Sequence, residues 1–127
     1  MGKLLLRIAV IYFGAGTGLG MFMAISHDHT AAHVHGHVQL LGWVSLALCG
    51  LIHLTFPTLQ RHWLAKAHFV LHNVGLPVGM ISLFFLLRGH AELMPLVAIG
   101  ASVSALGVVA FIALVMTQIG AAAPANQ

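Results

Sequence analysis

Charge is nearly missing from this sequence. Its 127 residues include five Lys or Arg and two Asp or Glu, while 60% are hydrophobic. A soluble domain carries roughly a quarter of its residues charged to keep its surface wetted, so a soluble fold is excluded. Five basic residues are also too few for a phosphate-binding surface, and no nucleic-acid partner is expected. Cysteine occurs once, at Cys49. That excludes a disulfide within the chain, and the residue reads as a small buried apolar side chain. Tyrosine also occurs once, at Tyr12. The polar–apolar alternation that marks a membrane β-strand is absent as well.

What the sequence has instead is long apolar runs, at 4–25, 35–56, 66–87 and 93–119. Each is near the ~20 residues that a helix needs to cross a hydrocarbon core. Lipid offers no hydrogen bonds, so each crossing must satisfy its own backbone as a helix. The expectation is an all-α integral membrane protein. One domain over 1–120 forms an antiparallel four-transmembrane-helix bundle with short loops, followed by a disordered tail at 121–127. The first run is longer than a signal-peptide core and is read as the first helix. Pro57 and Pro95 mark helix boundaries, and Pro77, inside the third run, predicts a kink.

If the helices alternate in direction, Lys3, Arg7, Arg61 and Lys66 share one side and Arg88 stands alone on the other. The positive-inside rule then places both termini in the cytoplasm and the His-rich loop outside, in a bacterial-type plasma membrane. Small residues mark faces where backbones can approach closely: Gly14, Gly16, Gly18 and Gly20 in the first run, and Gly100, Ser104 and Gly107 in the fourth. They serve contacts within the chain or between subunits.

The ten histidines are the chemical signal, because an ionisable residue inside a membrane is expensive and marks function. His27, His29, His33, His35 and His37 precede or enter the second run, in HDHTAAHVHGHVQLLGW, and His90 lies at the same side. His53, His68 and His72 lie toward the other side, with His62 in the loop. At ~1.5 Å rise per residue, His37 and His72 are expected to differ in depth by about 20 Å, too far for one compact site. On a helix, residues two apart point about 200° apart, so His35 and His37 face opposite ways, whereas His33 and His37, four apart, share a face. An H-x-H pair therefore serves two neighbouring cavities. His27 and His29 are free for solvent or metal. His53, His68 and His72 could ligate a second cofactor or metal, or could equally form a hydrogen-bonded cluster that fixes helix register.

The segment HGHVQLLGWVSLALCGLIHLTFP, 35–57, resembles small four-helix membrane proteins related to the heme-copper oxidase catalytic subunit, as does KAHFVLHNVGLPVGM, 66–80. The resemblance covers about a third of the chain. It implies a geometry in which four-helix arcs build a twelve-helix ring, so that three copies of this chain assemble as a homotrimer. Heme-ligating histidines come from the second helix of an arc, which points to His35 and His37, with His33 and His72 as further candidates. The implied cofactor is heme b, with copper as a possible companion. The implied role is electron transfer, fed by an electron-donor protein, or binding of O2 or NO between subunits, and any enzymatic activity is that of an oxidoreductase. There are departures from that pattern. No His-His pair occurs, Tyr12 is on the wrong helix for the copper site, and Asp28 and Glu92 both lie outside the apolar runs. Proton-coupled reduction of oxygen is not implied.

Two readings from other classes stand beside it. One is a membrane protein binding copper, zinc or nickel through His27, His29, His33, His35 and His37, or through His53 and His68, since imidazole suits all three metals. The other is a structural subunit whose histidines bond only internally.

Overall fold

Helix is the only regular structure among the described residues, 1–119, of the computed structural model. The chain runs as α1 (Gly2–Ser26), α2 (Ala32–Thr55), α3 (Trp63–Leu86) and α4 (Met94–Gln118). Short 3-10 turns at Pro57–Arg61 and Ala91–Leu93 precede α3 and α4. Four helices are long and apolar enough to cross a membrane, as the four runs predict. The tail expected at 121–127 lies outside the described residues.

The breaks follow local chemistry. Pro57 opens the first 3-10 turn and Pro95 sits in the first turn of α4, where a missing N–H costs nothing. Pro77 lies inside α3, which continues through it. His62 caps α3, its Nδ1 accepting the backbone N–H of Leu64 at 3.2 Å. Left-handed backbone at His27 (φ 55°) ends α1, and Gly89 (φ 101°) turns the chain between α3 and α4. In the loop after α1, Asp28 accepts hydrogen bonds from the Thr30 backbone and hydroxyl, and it faces Arg88 at 3.7 Å.

The Thr30 hydroxyl and backbone N–H, followed by the Arg88 charge, hold the Asp28 carboxyl below its ordinary value. A group depressed in this way contributes order above the ordinary carboxylate range and loses it as pH falls through the lowered value. Acidification below about pH 4 is therefore expected to speed amide exchange at Thr30, and Asp28→Asn to do so already at neutral pH. Equal exchange rates in the variant and the parent would refute this anchoring role.

The bundle is two tightly packed hairpins. In α1–α2, glycines let the helices approach: a Cβ at Gly2 would lie 2.8 Å from the Gly50 carbonyl, and one at Gly16 2.7 Å from the Gln39 side chain. In α3–α4 the approach is backbone to backbone. A Cβ at Gly107 would meet the His72 nitrogen at 2.7 Å, and Cβ atoms at Gly75 or Gly100 would overlap the Ser104 and Gly79 backbones. Lipid gives no hydrophobic drive between helices, so this van der Waals proximity is what binds them. The two glycine-bearing faces thus work within the chain at Gly16, Gly20, Gly100 and Gly107. Gly14 and Gly18 face open space. Between the hairpins, side chains make the contact: Val34 and Val38 pack on Leu76 and Met80, and Ile52 packs on the cluster of Leu59, Ala65 and Leu114.

Candidate functional site

The middle of α2 is not an α-helix. After Ala32–His37, the eight residues Val38–Ser45 are π-helical, and α-helix resumes at Leu46–Thr55. Such segments are rare and concentrate at functional sites, because widening the turn to i→i+5 re-aims side chains and disturbs the carbonyl ladder. Two consecutive carbonyls here take side-chain donors. Ser45 Oγ donates to Leu40 O at 2.8 Å, and His72 Nε2 from α3 donates to Leu41 O at 3.1 Å. Since a carbonyl only accepts, that contact fixes the proton on His72 Nε2. Nδ1 is then the acceptor for the Ser104 hydroxyl, at 3.4 Å.

This contact corrects the expected depths. Leu41 lies one turn beyond His37, so His72 stands about one turn from His37 along the bundle axis rather than about 20 Å away. The expected depth took the third helix to start at 66, whereas α3 begins three residues earlier, at Trp63, and so carries His72 further from its start.

His35 and His37 do leave α2 on different sides. The His35 ring is half-buried against α1: a Cβ at Gly20 would lie 3.0 Å from His35 Cε1, and His35 Nδ1 donates to Gly16 O at 2.9 Å. His37 is exposed, and its Nδ1 donates to His33 O at 2.8 Å, one helical turn back. In both rings the bond to a carbonyl puts the proton on Nδ1 and leaves Nε2 a bare lone pair. Metal-ligating imidazoles are prepared in this way, with one nitrogen held and the other presented. His68 has the same form, its Nδ1 donating to Gly107 O at 3.0 Å.

His37 lines a cleft of about 530 Å³ between α2, α3 and α4, walled by Leu41, Leu76, Met80 and Val97 and reaching Ser104. A second cleft of about 310 Å³ adjoins it, lined by His68, His72, Cys49 and Phe111, and shares Leu41 and Val108 with the first. Together they form an apolar trough between α2 and α4.

The remaining candidates are placed plainly. His27, His29 and His33 are exposed at the loop and the start of α2. His53, His68 and His72 are buried. His90 donates from Nδ1 to Glu92 at 3.1 Å. Among the described residues, no three His, Cys, Asp or Glu side chains converge on a position that could hold a metal ion. Trp43 stacks on Phe13 of α1, with ring centres 4.9 Å apart. Sequence reasoning missed the π segment and the His72–Leu41 bond, since neither has a compositional signal. Gln39, which with Trp43 is expected from the sequence to support the ligand histidines, has its side chain in the space over Gly16.

Comparison of the chain with protein-family models, with curated proteins and with solved structures gives no match.

Proposed function

We propose that this chain is an integral-membrane b-type heme protein, with His37 as an axial iron ligand in the cleft between α2 and α4. The observation that supports it is the His37 ring itself. Its Nδ1–H is committed to the His33 carbonyl, its Nε2 is bare, and it stands on an apolar cleft of about 530 Å³ in a membrane bundle. A flat apolar macrocycle with one iron suits those walls, and the donor set fits imidazole ligation of heme.

His35, held in the same tautomer on the opposite side of α2, is the ligand offered to a neighbouring copy. In a homotrimer resembling the twelve-helix oxidase core, each interface would join His35 of one copy to His37 of the next. A heme held there would supply one-electron transfer and, if only one of the two histidines binds the iron, binding of O2 or NO. The chain's own residues orient the two imidazoles, exclude water with Leu76, Met80 and Val97, and seat the π segment behind them. The basic residues Lys3, Arg7, Arg61 and Lys66 support an orientation with the opposite end of the bundle in the cytoplasm of a bacterial-type membrane.

Protein purified in detergent from heme-replete cells is expected to show a Soret band and, after dithionite, sharp visible bands. His37→Ala is expected to abolish them and His35→Ala to shift them, while light scattering reports three copies per particle. Colourless protein would overturn the reading, and spectra unchanged in both variants would move the ligands elsewhere.

A further inference from the structure

Three histidines lie buried between α2, α3 and α4, and the heme reading makes none of them an iron ligand. His53 is 0% exposed and neither ring nitrogen has a hydrogen-bond partner. His68 is 2% exposed, and its Nε2 is also without a partner. A buried polar atom left unpaired costs about 1–3 kcal/mol, so three bare ring nitrogens in one apolar region call for something that packing does not supply.

Their arrangement is linear. His53 and His68 flank the Phe111 ring at 5.8 and 4.8 Å between centres, and His68 lies 5.4 Å from His72. At one end the His53 carbonyl accepts from Gln60 Nε2 at 2.8 Å, in the turn beside Arg61. At the other, His72 holds the Ser104 hydroxyl, which lines the large cleft shared with His37. Both carboxylates of the chain, Asp28 and Glu92, are at the far end. Imidazole is therefore the side chain among these buried helices whose ordinary pKa lies nearest neutrality, and it can both take and release a proton. Histidine chains inside membranes are a recognised form of proton relay, and the cleft of about 310 Å³ that His68 and His72 both line has room for bridging water.

We propose that His53, His68 and His72 carry protons between the Arg61 end of the bundle and the cleft at His37. A proton from the Arg61 end adds to a bare ring nitrogen of His53, whose other nitrogen releases one through water to the Nε2 lone pair of His68, while the His68 Nδ1–H stays on the Gly107 carbonyl. His68 Nε2 then gives it through water to the His72–Ser104 pair, and the hydroxyl releases a proton into the cleft. One proton moves, no electron does, and each imidazole returns to its neutral form. The path needs no heme, although it ends in the cleft where the heme reading places one.

The test uses the full chain in liposomes with a trapped pH-sensitive dye and a valinomycin-driven potassium potential. Proton uptake is expected to run at least ten times faster than in empty vesicles. His53→Leu and His68→Leu should return it to the empty-vesicle rate with helical circular dichroism retained, and Ser104→Ala, the mildest change, should slow it several-fold. His90→Ala, at the surface, should leave it unchanged. Parent protein no faster than empty vesicles would overturn the relay, as would a folded His68→Leu or Ser104→Ala protein that conducts like the parent. Neither result bears on the Soret band, so the two readings fail separately.

Discussion

Gly100→Val is expected to leave no folded bundle that survives mild detergent, whereas Gly14→Val is expected to behave as the parent does. A Cβ at Gly100 would overlap the backbone nitrogen and Cα of Gly79, and would also meet the Gly75 carbonyl at 2.9 Å. None of these is the tip of a side chain that could turn aside. To admit even one carbon, α3 and α4 must separate along their whole contact, losing the Gly75–Ser104 and Gly107–His72 approaches together. Ordinary overpacking costs about 1–3 kcal/mol, and backbone overlap at the tightest helix pair in the protein should exceed about 3 kcal/mol. Gly14, with nothing within 4 Å of its would-be Cβ, provides the control for any general effect of valine on helix formation. The measurement is unfolding in a denaturing detergent followed by circular dichroism. A Gly100→Val protein with the parent's midpoint would mean the two helices are not packed this closely.

His72→Leu is expected to change the cleft at a distance. The substitution keeps the volume and removes the side-chain donor to Leu41 O, and it leaves the Ser104 hydroxyl without its acceptor. The cheapest repair is for Val38–Ser45 to tighten to an α-helical ladder. That change turns the outer part of α2, with His33, His35 and His37, through a large part of a turn relative to Leu46–Thr55. His35 would leave the Gly16 carbonyl and His37 would swing off the cleft. On the heme reading, loss of a partner that orients a ligand lowers cofactor affinity by about 10–100-fold, seen as loss of the Soret band on dilution. His72→Gln, whose amide can still donate to Leu41 O, should recover most of it. A His72→Leu protein with the parent's spectrum and affinity would show that the π segment is held by α2 alone.

The coarse architecture was readable because lipid imposes it: scarcity of charge and four runs of about the right length leave few alternatives. The opposed directions of His35 and His37 were readable too, since both lie on the α-helical segment Ala32–His37, where the 3.6-residue period holds. The depth of His72 was not. The expected depth assumes unbroken α-helices that start with the apolar runs, and the protein departs from this at Trp63, where α3 begins early, and in Val38–Ser45, which is π-helical. Nothing in VQLLGWVS distinguishes a π from an α turn, because the deciding partner, His72, is 31 positions away. The glycines were legible as contact points, but whether they met their own chain or another depended on which faces turned toward each other.

Because close backbone approach is confined to the α1–α2 and α3–α4 pairs, with only side chains such as Val38, Leu76 and Met80 joining them, each half is a self-sufficient packing unit. During synthesis the first pair can settle in the bilayer while the second is still being made. The trough between the halves is then the last seam to close, and a flat guest reaching it sideways through the lipid would be sewn in rather than threaded.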